Sequence, residues 1–192
     1  MIYAIIRSIV AFFCKIVFFV KVKGAENLPK EGAVILAANH TSMWDPVVLV
    51  SAISRKMRFM AKKELFRHKL LAPILRMSGA FPVDREGNDI GAIKNALKTL
   101  KDGEIFGIFP SGTRVKGIET AEAKSGVALI AARSGAPVLP VAISGGFRLF
   151  KQVTIHIGQP LSISYTDGKK PSGEELKAFA DEIMNNIESL GA

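Results

Sequence analysis

One cysteine is all this 192-residue chain has, so Cys14 finds no partner within it; an intrachain disulfide is excluded and a reducing compartment is expected. Histidine is scarce as well. His40, His68 and His156 stand at no metal-ligand spacing, and His156 falls on the polar face of an alternating run, so no metal is expected. The Walker phosphate loop, the dinucleotide fingerprint and the Gly-x-Ser-x-Gly elbow are all missing, which argues against nucleotide-loop enzymes and serine hydrolases. No internal repeat, low-complexity tract or long linker interrupts the chain, and its length suits one main domain.

Acidic residues are missing from the first 25 positions; Glu26 is the first. The opening stretch, MIYAIIRSIVAFFCKIVFFVKVKG, is long enough for a bilayer, since about 20 helical residues cover about 30 Å. Arg7 and Lys15 interrupt it, however, and a charge near a helix centre costs about 2.5–3.5 kcal/mol on insertion. On a helical wheel Tyr3, Arg7, Ser8, Lys15 and Lys21 share one side, with Phe18 intruding among them. Ile5, Ile9, Phe12, Phe13, Ile16, Phe19 and Val20 fill the rest. The expectation is an amphipathic helix over 1–20 lying in one leaflet with its cations at the phosphates, followed by a single domain over 21–192. A true span and an ordinary core helix remain as alternatives. A signal peptide fits poorly, because the apolar region is broken and no Ala-x-Ala-like site follows.

What the chain does have is positive charge and oil. Lys and Arg number 26 against 17 Asp and Glu, a net charge of +9, and mean hydropathy is +0.26. The charge is uneven: residues 1–116 hold 19 basic against 9 acidic side chains, residues 117–192 hold 7 against 8. A basic first half points to phosphate, anionic lipid or an acidic protein as partner. Nucleic acid is not expected, since no basic stripe interleaved with aromatics occurs. The segment RKMRFMAKKELFRHK (55–69) concentrates seven Lys and Arg; it is either a partner surface or a solvated face.

Short apolar runs alternate with helical patterns. Strands are expected at 33–38, 57–61, 80–83, 104–109, 137–143 and 152–157. Helices are expected from Asp45 to Ser54, with Asp45 as N-cap and Pro46 at the first helical position, over 62–77 with a break at Pro73, and from Asn88 to Leu100. Two more follow at 124–134, ending at Gly135, and from the capping box Ser172-x-x-Glu175. That alternation implies an α/β fold with a largely parallel central sheet covered by helices on both faces.

Four elements sit at strand ends. In NHTSMWDPVVLV (39–50), His40 and Asp45 are five apart; on a continuous helix they would diverge, but a strand–turn–helix lets the carboxylate fix the imidazole tautomer. Imidazole suits a general base because its ordinary pKa is ~6.5. FPVDRE (81–86) delivers Arg85 just past a strand end. IFPSGTR (108–114) ends a strand in a turn whose Gly112 and Thr113 N–H groups can form an anion nest, with Arg114 beside it. VLPVAISG (138–145) is a strand with Pro140 inside it. Each alone is equally what an ordinary turn or a surface arginine looks like.

Together, in this order, the four resemble the glycerolipid acyltransferase family, specifically its lysophosphatidic acid acyltransferases. The family's Asn-His-x-x-x-x-Asp block is matched by Asn39, His40 and Asp45, and its arginine-ended second block by GAFPVDR. Its Phe-Pro-Glu-Gly-Thr-Arg block is matched by Phe109, Pro110, Gly112, Thr113 and Arg114, and its proline-bearing strand by Pro140. The likeness spans about residues 20–160, and one position departs: Ser111 stands where the family has glutamate. The resemblance implies acyl transfer from acyl-CoA or acyl carrier protein to the sn-2 hydroxyl of lysophosphatidic acid at the cytoplasmic face of the cell membrane, with membrane lipids as partners and no cofactor. His40 would be the base, Asp45 its orienting group, and Arg85, Ser111, Gly112, Thr113 and Arg114 the acceptor site. Another lysolipid acceptor (a lyso-ornithine lipid or lysophosphatidylglycerol) and a catalytically silent lipid-binding protein are the alternatives that Ser111 keeps open.

Overall fold

The apolar run at 33–38 becomes the strand around which the other layers assemble. β2 (Val34–Ala38) is buried throughout: Val34, Leu36 and Ala38 face one core, Ile35 and Ala37 the other. A strand covered on both faces has no solvent side, which is why it reads as continuous apolar sequence. The computed structural model describes residues 2–69, 71–77, 79–83, 90–112, 125–148, 150–163 and 170–191.

The chain runs α1 (Ile2–Phe18), β1 (Lys21–Lys23), β2, α2 (Asp45–Ala52), β3 (Met57–Lys62), α3 (Leu71–Met77), β4 (Ala80–Val83), α4 (Ile90–Lys101) and β5 (Ile105–Ile108). It continues through α5 (Gly126–Ser134), β6 (Val138–Ser144), β7 (Thr154–Ile157) and α6 (Gly173–Gly191). The strands form one seven-stranded sheet in the order β1-β7-β6-β2-β5-β3-β4. All neighbouring pairs are parallel except β6 with β7. α1 and α2 cover one face, through Cys14, Phe18, Val48 and Leu49; α4, α5 and α6 cover the other, through Ala96, Leu100, Ile130 and Ile183. The α/β expectation, mostly parallel with helices on both faces, matches this architecture.

Differences are local and have physical causes. β1 was hidden in the oily opening: three residues cannot show alternation, and they earn strand geometry only by lying parallel to β7. The 62–77 stretch splits before Pro73, not at it. A 3₁₀ turn covers Lys63–Arg67, and Pro73 sits in the first turn of α3, where its missing N–H is no loss. Pro140 lies mid-strand because its carbonyl accepts the Gly158 N–H at 2.8 Å, just past the last rung of β7. Its missing donor therefore faces the end of a ladder rather than the middle. The capping box is realised: Ser172 N–H donates to Glu175 Oε2 at 2.7 Å and Glu175 N–H to Ser172 Oγ at 3.2 Å.

α1 has two apolar sides. Cys14 and Phe18 are buried against α2, with Val10 and Val17 beside them, while Ile9, Phe12, Phe13 and Ile16 stay exposed. Phe18, on the polar side of the wheel, is thus a core residue, because the helix packs that side on protein. Among the described residues no helix is long and apolar enough to cross a membrane.

Much of the basic segment 55–69 is spent internally. Arg55 donates to the carbonyls of Pro29, Gly32 and Gly103, clamping two loops. Lys56 and Arg58 both bond Glu104 at the start of β5. Burial acts on Glu104 most and alone would raise its pKa, but the hydrogen bonds and charges of Lys56 and Arg58 together outweigh it and hold the carboxyl below its ordinary range. A depressed carboxyl contributes stability above its unfolded pKa and loses it as pH falls through the folded one. Glu104→Gln is therefore expected to lower stability at neutral pH by about 1 kcal/mol, about 2–4 °C in Tm for a domain this size. In thermal melts the deficit should shrink as the buffer is made acid; a deficit independent of pH would mean that packing, not charge, holds this corner.

Candidate active site

Parallel pairing brings the carboxyl ends of β2, β3, β4, β5 and β6 to one edge of the sheet. In open α/β sheets this is the edge where loops diverge and ligands bind. Residues 39–45 leave β2 there and 109–112 leave β5 there.

Asn39 secures the first loop. Its side chain donates to the Ile143 carbonyl at 3.0 Å and accepts the Ile143 N–H at 2.7 Å, so one buried amide joins the ends of β2 and β6. His40 follows, its side chain 10% exposed, with Nδ1 2.8 Å from Asp45 Oδ2. The same oxygen accepts the backbone N–H groups of Thr41 and Ser42, each at 2.7 Å. Asp45 is fully buried. Since a carboxylate Oδ2 can only accept, Nδ1 carries a proton, and in the neutral imidazole the lone pair is left on Nε2, the tautomer a general base needs. Nε2 has no hydrogen-bond partner among the described residues.

The sequence expectation for Asp45 needs one correction. It is the first residue of α2 and not its cap; Trp44 holds that position and makes no side-chain cap bond. Rather than one oxygen capping and the other orienting, Oδ2 does all the bonding, backwards onto 40–42, and Oδ1 is buried with no partner among the described residues.

The loop after β5 supplies a wall. The Phe109 ring stacks on His40 with centroids 4.1 Å apart and planes 21° apart. Phe59 stacks behind Phe109 at 6.0 Å. That second ring occupies the place of a missing side chain: a Cβ on Gly107 would lie 2.2 Å from it. Gly107 is therefore required for close approach. Trp44, at the other side of the His40 loop, leans on Phe18 of α1 with centroids 5.5 Å apart.

Of the expected acceptor residues, Ser111 and Gly112 are half-buried in the same loop as Phe109. The Gly112 N–H donates to the Phe109 carbonyl at 2.9 Å and closes the turn. Arg85, Thr113 and Arg114 lie outside the described residues. Asn39 and Phe109 had no assigned task in the sequence beyond matching a block. A polar amide straight after a buried strand was the available signal for Asn39, since a buried amide must be paired. Nothing local signals that Phe109 meets a ring 69 positions away. Among the described residues no group of three or more His, Cys, Asp or Glu side chains is placed to hold a metal.

The fold therefore presents a buried, hydrogen-bonded His–Asp pair at the carboxyl edge of a largely parallel α/β sheet. The family model described as Acyltransferase matches residues 19–144. The chain is 39% identical over 177 residues to the 1-acyl-sn-glycerol-3-phosphate acyltransferase of Bacillus subtilis, covering 89% of this chain and 87% of that one. It is 37% identical over 163 residues to the protein of the same name from Streptococcus pneumoniae, covering 81% of this chain and 60% of that one. The crystal structure of the 1-acyl-sn-glycerophosphate acyltransferase PlsC from Thermotoga maritima matches with a TM-score of 0.69 at 29% identity, covering 89% of this chain and 71% of that chain. This chain belongs to the acyltransferase family, and it is an enzyme.

Asn39 gives the site's structural test. Asn39→Ala leaves the Ile143 N–H and carbonyl buried without partners, at about 1–3 kcal/mol. Denaturant titration should show that loss, and kcat should fall with it because the His40 loop is no longer tied to β6. Unchanged stability would mean that the β2–β6 ladder holds the loop without the amide.

Proposed function

We propose that the protein transfers an acyl chain from acyl-CoA or acyl carrier protein to the sn-2 hydroxyl of lysophosphatidic acid, forming phosphatidic acid. The observation that carries this is the Nδ1–Asp45 bond, which leaves Nε2 of His40 basic beside an open sheet edge, in a chain whose relatives are named for that acyl transfer. His40 Nε2 takes the acceptor's hydroxyl proton, and the oxygen attacks the thioester carbonyl. The tetrahedral adduct then expels the thiolate, which recovers the proton from the imidazolium. No covalent acyl-enzyme is needed, and Cys14 is buried away from the edge, its thiol pushed up by burial although Ser51 hydrogen-bonds it.

Arg85, Thr113 and Arg114 are assigned to the acceptor phosphate with Ser111 beside them; a serine in place of a carboxylate makes that site more cationic and roomier. The enzyme works at the cytoplasmic membrane surface, residues 1–20 lying in the interface and 21–192 forming the acyltransferase domain. The exposed apolar side of α1 supports this, since Phe12 is 69% exposed next to Ile9, Phe13 and Ile16.

The test is thioester release by the purified protein with CoA and acyl carrier protein donors against lysophosphatidic acid, a lyso-ornithine lipid and lysophosphatidylglycerol. Turnover should be fastest with lysophosphatidic acid. His40→Ala should lower kcat by about 10²–10⁴ without unfolding the protein, and Asp45→Asn should cost less. Parent-rate turnover by His40→Ala would end the general-base reading; preference for another lysolipid would move the acceptor but keep the chemistry. Thioester release with no acceptor dependence would contradict both.

A further inference from the structure

Two acid-free segments meet at the catalytic edge. One is residues 1–25; the other lies between Glu122 and Asp167 and includes the β6–β7 connection. Backbone bonds fix their meeting: Phe150 N–H donates to the Val17 carbonyl and Val153 N–H to the Phe18 carbonyl, each at 2.9 Å. These bonds satisfy carbonyls that the end of α1 leaves open. Gly145 closes the connection at its base, where a Cβ would stand 2.3 Å from the Gln152 carbonyl. Phe147 meets Phe18 edge-on at 5.5 Å, and Phe18 meets Trp44, so two ring contacts link this connection to the His40 loop.

Folding alone does not account for what this surface displays. Phe19 and Phe150 are 51% and 67% exposed, and their rings lie against each other with centroids 6.4 Å apart. Both hold positive φ, 41° and 61°. A bulky residue there is a backbone outlier, in a region glycine or asparagine adopts more readily. Strain and exposure are thus combined at one pair of rings. Beside them Gly146, Arg148, Lys151 and Gln152 line an open cleft of about 410 Å³. Arg148 and Lys151 are exposed, and neither has an ion-pair partner among the described residues.

Aromatic rings facing solvent beside unpaired cations complement a bilayer surface, where rings settle at headgroup level and cations meet phosphates. We propose that the β6–β7 connection is a second bilayer-docking element. Its Arg148–Lys151 cleft receives the phosphate of an anionic membrane lipid, while Phe150, backed by Phe19, enters the headgroup layer. The inference rests on the membrane-surface reading and goes beyond it, naming the lipid class and residues outside both α1 and the His40 site. Docking here turns the carboxyl edge of the sheet, and with it His40, towards the lipid that carries the acceptor.

The experiment is sedimentation of the full-length protein with phosphatidylcholine vesicles, with and without phosphatidylglycerol. Arg148→Ala combined with Lys151→Ala should weaken binding to anionic vesicles roughly 30-fold, about fivefold per charge. Binding to neutral vesicles, and turnover of a short-chain soluble acceptor, should not change. Phe150→Asn should weaken binding to both vesicle types roughly tenfold while Tm holds or rises, because asparagine tolerates positive φ. A fall in Tm would make Phe150 a packing residue and overturn its docking role. A raised KM for acyl-CoA or for the soluble acceptor in the double variant would assign the cleft to a substrate instead. If the parent protein binds no vesicle, this inference and the membrane-surface reading fail together; if the parent binds and the double variant binds equally, the inference alone fails.

Discussion

The carboxylate of Asp45 lies entirely out of water, and the shape of the active edge follows from how it is kept there. A buried carboxylate is costly unless donors converge on it. Three do, all onto Oδ2: His40 Nδ1 and the N–H groups of Thr41 and Ser42. Its place at the first residue of α2 adds the favourable end of the helix dipole. Because every donor comes from residues 40–42, the bonds that make burial tolerable also fold that loop into one conformation. The imidazole is oriented as a by-product of solving a solvation problem.

The surrounding contacts hold the loop from three directions. Asn39 fastens it to β6, Trp44 leans it on α1 through Phe18, and Phe109 covers the imidazole face. The last contact traces back to a residue with no side chain, since Phe59 can support Phe109 only where Gly107 leaves room. β2, β3, β5 and β6 thus each contribute one support to a single histidine. Such a site is preorganised by elements that are themselves core, which fixes the imidazole in one orientation.

Legibility in the sequence followed the range of the interactions. β2 and β6 were readable because strands buried on both faces are short apolar runs between turns. Ser172 and Glu175 were readable because a capping box is closed within four residues. His40 and Asp45 were readable as a pair because five positions and a turn suffice to join them. Which oxygen would serve which donor was not, since spacing says nothing of side-chain direction. Phe18 read as an intruder on the polar side because a wheel assumes one apolar side, and α1 has one against protein and one free. Lys56 and Arg58 looked like free charge because Glu104 is more than forty positions away. Phe109 over His40 is likewise long-range.

The His40 site turns on which ring nitrogen holds the proton, and long-range ¹H–¹⁵N correlation of that ring in the ligand-free enzyme reads it. With His40 neutral, Nδ1 should carry the proton and Nε2 should show the shift of a bare nitrogen, the pattern being lost in Asp45→Asn. A proton on Nε2 of the neutral ring in the parent enzyme would rule out His40 as the proposed base, because no lone pair would then face the acceptor.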